Sequence, residues 1–258
     1  MSLSFRQTDI LEIARTEGRV TVDGLADRFD VTVQTIRRDL SELADAGHLD
    51  RVHGGAVLRS GVVNIGYQDR RALNEDAKIR IAQACASDIP DGSSVFLNIG
   101  TSTEAVAQAL GQHKGLMVVT NNINVANILA PNEDCQIVLA GGVLRRSDGG
   151  MTGALTESTI RQFRFDYAVI GCSALDVAGD MLDFDIQEVH VSQTIIAQSR
   201  RVFVVADQSK IGRNAPVRIG SLEQVDSLFT DAPLPVELTR LCAEWKTKAI
   251  VAGGPQST

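Results

Sequence analysis

Two sets of residues in this sequence have the types and spacing to do chemistry, and they differ in kind. Within ten residues, Thr32, Gln34, Thr35, Arg37, Arg38 and Ser41 bring together hydrogen-bond donors, acceptors and two fixed positive charges. Such a set, on one side of a helix, suits base edges and phosphates. Further along, Gly100-Thr101-Ser102-Thr103 sets three hydroxyls and several backbone N–H groups behind the apolar run Val95 to Ile99. If a helix starts there, its unsatisfied donors and its dipole both favour an anion. The loop has neither the Gly-Lys-Ser/Thr ending of a P-loop nor Gly-x-Gly-x-x-Gly, so nucleotide binding is not indicated. More small polar groups follow other apolar runs: Asn121 and Asn122 after Thr120, Gly141 and Gly142 after Ala140, and Asp207 with Lys210 and Arg213. Lys210 and Arg213 would supply positive charge to an anion. Asp183, Asp185 and Glu188 would accept hydrogen bonds from substrate hydroxyls or act as acid and base. Taken singly, each feature has a plainer account: a solvated Arg-Arg face, a capped turn, acids partnering a helix dipole.

The elements that must position these groups are legible from periodicity. Ser4 with Gln7 forms a capping-box pattern, and Ile10, Ile13 and Ala14 recur at helical spacing until Gly18. Thr21 caps a short second helix carrying Leu25, Ala26 and Phe29 on one face. Thr32 caps a third, Val33 to Ala46, in which Ile36, Leu40 and Leu43 form one apolar stripe. Gln34, Thr35, Arg37, Arg38 and Ser41 lie opposite that stripe. Two strand candidates, Leu49 to Val52 and Ala56 to Arg59, join through His53-Gly54-Gly55 in a hairpin turn. Three helices and a hairpin in this order predict a winged helix-turn-helix over residues 1–59. Residues 60–74 lose periodicity and read as a linker, and 253–258 as a disordered tail.

An amphipathic helix from Glu75 to Ser87, with Ile79, Ala82 and Ala86 inward, leads into a second domain over 75–252. Strand candidates there are Val95 to Ile99, Leu116 to Thr120, Gln136 to Ala140, Tyr167 to Gly171, Val202 to Asp207 and Ser227 to Thr230. Helical stretches, among them Glu104 to Leu110, Val125 to Leu129 and Val189 to Gln198, alternate with them. The alternation predicts an α/β domain with a mainly parallel sheet, whose ligands bind at the carboxyl ends of the strands.

Composition narrows the functional classes. The 258 residues are 44% hydrophobic, 22% charged and 4% aromatic, an ordinary globular balance that excludes disorder and fibrous repeats. No apolar stretch is long enough to span a bilayer and the N-terminus lacks a signal-peptide run, so a cytoplasmic protein without membrane contact is expected. The net charge of −7 argues against coating nucleic acid by bulk charge. Even residues 1–60, with eight arginines, no lysine and ten acids, are net negative. DNA binding would rest on where the arginines are placed. Cys85, Cys135, Cys172 and Cys242 are scattered, without Cys-x-x-Cys or a histidine at ligand spacing, so they read as reduced and structural. Neither a metal nor a cofactor is expected.

The run Val31 to Leu40 (Val-Thr-Val-Gln-Thr-Ile-Arg-Arg-Asp-Leu), with Leu43 and Arg51-Val52-His53-Gly54-Gly55-Ala56, strongly resembles the DNA-binding signature of the DeoR family of bacterial regulators. The likeness extends through Ile99 to Thr103, Thr120-Asn121-Asn122, Ala140-Gly141-Gly142, Asp148-Gly149-Gly150 and Asp207 to Ala215, nearly the whole chain. It implies an N-terminal winged helix that reads an operator and a C-terminal sensor, similar to ribose-5-phosphate isomerase, that binds a phosphorylated inducer. Carried over, the reading helix is Val33 to Leu43, the wing includes Arg51 and His53, the phosphate loop is Gly100 to Thr103, and Lys210 is its basic partner. Leu182-Asp183-Phe184-Asp185 with Glu188-Val189, and Lys210 to Ala215, resemble family members that respond to glycerol 3-phosphate. That ester is the implied inducer of a repressor of glycerol metabolism. Ser192 stands where many members carry a basic residue.

One winged helix buries too little surface for tight specific binding, so a homodimer or homotetramer is expected. Gln34, Thr35 and Arg38 would face base edges, while Thr32, Arg37, Arg51 and His53 would contact phosphates. The rival reading is a sugar-phosphate isomerase or deaminase with an appended domain, using Asp183, Asp185 or Glu188 as base beside Lys210. An activator of the same family is a third.

Overall fold

A computed structural model describes residues 3–17, 19–52, 54–58 and 66–253. His53, residues 60–65 of the expected linker and the expected tail from 254 lie outside the described residues. The chain divides into two compact units, Met1–Leu73 and Asn74–Thr258.

In the first unit, α1 (Phe5–Glu17) is followed by β1 (Arg19–Thr21), α2 (Val22–Phe29), α3 (Val33–Asp45), β2 (Leu49–Val52) and β3 (Gly55–Leu58). The caps are those the residue types dictate. Gln7 N–H donates to Ser4 Oγ while Ser4 N–H donates to Gln7 Oε1, closing a capping box. Thr21 Oγ1 accepts from Gly24 N–H and Thr32 Oγ1 from Thr35 N–H. Asp30 ends α2 in the left-handed region at φ 52°, which an aspartate tolerates better than most residues. Ile36, Leu40 and Leu43 are fully buried and pack with Ile10, Ala14, Leu25 and Leu49 in one core. β1 is an element that periodicity missed: three residues are too few to show alternation. It pairs antiparallel with β3, giving a three-stranded sheet in the order β1-β3-β2. A further short helix, α4 (Tyr67–Ala72), lies within the stretch expected to be an irregular linker.

The second unit runs α5 (Glu75–Ser87), β4 (Ser94–Leu97), α6 (Thr101–Ala109), β5 (Met117–Thr120), α7 (Ile123–Leu129), β6 (Gln136–Leu139), β7 (Val143–Arg145), β8 (Gly150–Thr152), α8 (Ala154–Ile160), β9 (Phe165–Ile170), β10 (Ala174–Leu175), β11 (Asp180–Asp183), α9 (Ile186–Ala197), β12 (Ser199–Val205), β13 (Val217–Ser221), β14 (Ser227–Thr230), α10 (Val236–Trp245) and β15 (Lys248–Val251). Seven strands form one sheet in the order β15-β14-β12-β9-β4-β5-β6, every pairing parallel. Side chains alternate across it. Phe96, Val119 and Ala168 join the core beneath α8, α9 and α10, whereas Val95, Leu97 and Val118 join the core beneath α5, α6 and α7.

Several expectations need correction. Ala82 and Ala86 face the core as expected, but Ile79 does not; it is 42% exposed, and α5 buries Ala77, Ile81 and Cys85 in its place. α6 begins three residues before the expected Glu104, so Thr101, Ser102 and Thr103 form its first turn. The edge strand β15 and the small antiparallel pairings β10-β11-β13 and β7-β8 were not anticipated. These strands are short and are defined by their partners rather than by their own periodicity.

Strand order fixes where a ligand belongs. Successive strands run outward from β4 through β5 to β6, and then restart on its other side with β9. The switch between β4 and β9 opens a crevice at their carboxyl ends. The Gly100 loop leaves β4 at that point.

Candidate functional site

On α3 the burial follows the predicted faces. Thr32, Gln34, Arg37, Arg38 and Ser41 are exposed, and Thr35 and Arg51 are partly so. Several of these groups already have partners. Thr35 Oγ1 lies 2.9 Å from Thr32 Oγ1. Ser41 Oγ donates to Arg37 O at 2.9 Å, and Arg51 Nη1 donates to the same carbonyl at 3.2 Å. Burial, followed by the neighbouring Arg37 charge, lowers the Arg51 pKa; the guanidinium stays charged, but it gains from any phosphate brought near it.

The Arg38 side chain is 82% accessible, and its Nε donates to Glu42 Oε1 at 2.9 Å, one turn on. The other oxygen of Glu42 accepts from Gln7 Nε2 of α1 at 2.7 Å. Arg38 and then Gln7 hold the Glu42 carboxyl below its ordinary range. Asp39, absent from the sequence-based candidates, is buried on this helix and ion-paired with Arg6 of α1. Arg6, Gln7, Arg38, Asp39 and Glu42 line one open groove. The signal for Asp39 was available: an acid one step from an apolar stripe residue must find a cation.

In the second unit the predicted groups gather at strand ends but are largely committed. Gly100 precedes α6 at φ 141°, in the left-handed half that favours glycine. Thr101 and Ser102 are partly exposed in the first helical turn. The Thr103 hydroxyl is fully buried, within 2.7 Å of both Asn98 O and Gly100 O, so it shapes the loop. Asn121 is fully buried after β5 and donates Nδ2 to Met151 O at 3.0 Å.

Asp183 is buried and accepts from Phe184 N–H at 2.6 Å. Asp185 caps α9, accepting from Gln187 N–H at 2.8 Å. Asp185 and Glu188 share a partner that sequence reasoning missed: Arg145 at the end of β7, at 2.7 Å from each, also gripping Asp148 at 2.6 Å. Three carboxylates around one guanidinium make a clasp between the β7–β8 hairpin and the start of α9. Burial opposes the Arg145 charge, yet Glu188 and Asp148 outweigh that and raise its pKa further. Burial likewise opposes ionisation of Asp185, but Gln187 N–H and Arg145 leave its pKa lowered.

Asp207 follows β12, is 1% exposed and accepts from Ser209 N–H, Ser209 Oγ and Asn74 Nδ2. Burial works against its charge, but Lys210 and these donors hold its carboxyl below the ordinary range. Burial pushes the Cys172 thiol up to about 12 despite the opposing charge of Lys210, so the nucleophilic thiolate is suppressed. Arg213 is buried, with its guanidinium 5.4 Å from the Phe184 ring centre and Nη1 3.5 Å from Ser173 O. The structure therefore clusters Gly100 to Thr103 with Asn121 through β4 and β5, Asp207 with Lys210, and Asp185 with Glu188. Arg213 packs against the Asp183–Phe184 segment.

Residues 6–61 match the family described as DeoR-like helix-turn-helix domain, and residues 73–232 the family described as DeoR C terminal sensor domain. The chain is 46% identical over 244 residues to the glycerol-3-phosphate regulon repressor of Escherichia coli (strain K12), covering 95% of this chain and 97% of that one. It is 43% identical over 254 residues to the protein of the same name from Haemophilus influenzae, covering 98% and 99%. Among solved structures, a D-ribose-5-phosphate isomerase in complex with phospho-erythronic acid is similar over 53% of this chain and 54% of that chain, with 16% identity and a TM-score of 0.41. With a helix-turn-helix unit, a seven-stranded sensor unit and family matches across both, this chain belongs to the DeoR family of transcriptional regulators.

Proposed function

We propose that this protein is a sequence-specific repressor of glycerol or glycerol 3-phosphate metabolism, released from its operator when the sensor unit takes up a phosphorylated inducer, sn-glycerol 3-phosphate. The observation that carries the DNA-binding half is the division of α3. Ile36, Leu40 and Leu43 are fully buried, while Gln34, Arg37, Arg38 and Ser41 are exposed on the other side. A helix so divided is anchored by one face and free to enter a major groove with the other. Gln34, Thr35 and Arg38 take base edges; Thr32, Arg37, Arg51 and His53 take phosphates, with Ser41 a further DNA contact.

For the inducer, the Gly100 to Thr103 turn receives the phosphate at the start of α6, with Lys210 as counter-charge. Asp183, Asp185, Glu188 and Arg213 shape the surrounding wall. Of the carboxylates that the isomerase reading would use as bases, Asp185 and Glu188 are ion-paired with Arg145, and Asp183 is buried and accepts from Phe184 N–H. That commitment favours a sensor over an enzyme. The protein works in the cytoplasm as a homodimer or homotetramer, so that two reading helices engage a repeated site.

The test is fluorescence anisotropy on labelled duplex from the promoters of adjoining glycerol genes, at fixed salt because phosphate contacts dominate affinity. Release by sn-glycerol 3-phosphate but not by glycerol or inorganic phosphate is the expected result. Specific binding that ignores the ester removes the inducer assignment, and turnover of a phosphorylated sugar replaces the sensor with an enzyme.

A further inference from the structure

The inducer reading leaves one pair of groups unexplained. Asn98 follows β4 and Asn121 follows β5, each a residue past the last register pair of these two strands, Leu97 with Thr120. They therefore stand side by side on neighbouring parallel strands, roughly 4.8 Å apart. They also share a face, being two residues beyond Phe96 and Val119, which point to the core beneath α9. Both are buried, at 1% and 0% exposure. Each spends its amide N–H on a structural partner: Asn98 Nδ2 donates to Ser192 Oγ of α9 at 2.9 Å, and Asn121 Nδ2 to Met151 O of β8 at 3.0 Å.

Each then leaves its carbonyl oxygen, Asn98 Oδ1 and Asn121 Oδ1, without a hydrogen bond among the described residues. At Asn121 the orientation is dictated, because a backbone carbonyl only accepts and so must face the NH2 end of the amide. A buried amide oxygen without a donor is costly, and two in adjacent register positions at the ligand end of a sheet have a common cause.

We infer that Asn98 and Asn121 form a paired acceptor that recognises the hydroxyl end of the inducer and makes the sensor selective for phosphorylated polyols over their keto counterparts. The inference rests on the reading that the Gly100 turn takes the phosphate. Asn98 is two residues before that turn, so an ester anchored there by its phosphate carries its carbon chain across the two amide oxygens. Hydroxyls donate to both. A ketone at the middle carbon is itself an acceptor; it would face Asn98 or Asn121 oxygen to oxygen and leave the orphan unsatisfied.

Entry requires the β7–β8 hairpin to shift. Its Met151 O holds Asn121, and Gly150 lies so close to Ile99 that an added Cβ would come within 2.5 Å of that side chain. Arg145 ties the same hairpin to α9.

The test is a calorimetric series on the wild-type protein with sn-glycerol 3-phosphate, dihydroxyacetone phosphate and 1,3-propanediol monophosphate, which lacks the middle hydroxyl. The first should bind about tenfold or more tightly than either of the others, the step that one unpaired buried acceptor commands. Asn121→Ala and Asn98→Ala should lower that preference towards one while leaving dihydroxyacetone phosphate affinity within about threefold, which a misfolded site would not do. Equal affinity of all three esters for the wild-type protein overturns the inference and leaves the phosphate reading standing. If none of the three binds, the phosphate reading falls and this inference with it.

Discussion

The two units handle their polar groups in opposite ways. On α3 most of the groups assigned to DNA are exposed, and Arg38 is paired at the surface with Glu42 one turn on. At the strand ends of the sensor the corresponding groups are buried or half-buried and bound across elements, as Arg145 is to Asp148, Asp185 and Glu188. An exposed ion pair contributes little to stability and is easily exchanged for a phosphate. Removing one member of a half-buried charge network, in contrast, leaves its partners uncompensated and costs more. A regulator needs both: a reading surface whose partners can be swapped, and a sensor whose polar groups are held in register until a ligand replaces some of their bonds.

The comparison is broken most severely by cutting into the reading unit's core instead of its surface. Leu40→Ala removes a fully buried side chain from the stripe that anchors α3. A loss of about 3 kcal/mol is expected. It should appear in thermal unfolding as early melting of the N-terminal unit, with the sensor transition unmoved. A single shifted transition for the whole chain would show that the units do not unfold separately.

Next in size is Arg145→Ala, which leaves three carboxylates around an empty place. Asp148 has only 3% of its side chain exposed. The expected cost is about 2 kcal/mol, below the range for fully buried pairs because the Arg145 side chain is itself 23% accessible. Urea unfolding followed through the sensor unit measures it. Arg38→Ala is the opposite case. Its stability change should lie within about 0.5 kcal/mol, while operator affinity falls roughly tenfold or more and base preference at one position relaxes. Arg37→Ala should weaken all sequences alike and reduce the salt dependence by about one phosphate's worth. If Arg38→Ala destabilised the fold and left base preference intact, the Glu42 pair would be structural and the reading assignment wrong.

The same contrast decides what could be read from sequence. The stripe Ile36, Leu40, Leu43 and its polar counterface repeat within one helix, so periodicity alone places Gln34, Arg37 and Arg38 outside. The caps at Ser4, Thr21 and Thr32 are equally local. The run Val95 to Ile99 announces a strand, and the Gly100 turn after it is visible in the same way. Arg145 was not visible, because its partners are three residues away in one case and about forty in the others, and nothing local distinguishes it from Arg146. Asn98 did leave a trace: a lone amide inside an otherwise apolar run, passed over because a strand was expected to continue through it. β1 and β15 became strands through their neighbours in the sheet rather than through their own composition.

The smallest effect expected is in pH dependence, and it separates buried from exposed carboxylates. Asp207 and Glu42 both have lowered pKa values, for different reasons. For Asp207, burial raises the pKa, but Lys210 and the Ser209 and Asn74 donors outweigh it; for Glu42, Arg38 and Gln7 act at the surface. A carboxylate whose folded pKa lies below its unfolded value adds stability that is present in full above the unfolded pKa and is lost as pH falls through the folded one. Both groups should therefore steepen the acid limb below about pH 4 and contribute no slope near neutrality. Salt distinguishes them. At 1 M ionic strength the screening length shrinks to about 3 Å, which weakens the Arg38 pair at the surface far more than an interior network. Denaturant midpoints measured from pH 7 down to pH 3 should show the Asp207→Asn variant with a flatter acid limb than wild type at both low and high salt. The Glu42→Gln variant should differ from wild type at low salt only. An acid limb for Asp207→Asn that matched wild type at low salt would place the compensation for that buried charge elsewhere, and the Lys210 pairing at the end of β12 would lose its role in holding the strand-end site together.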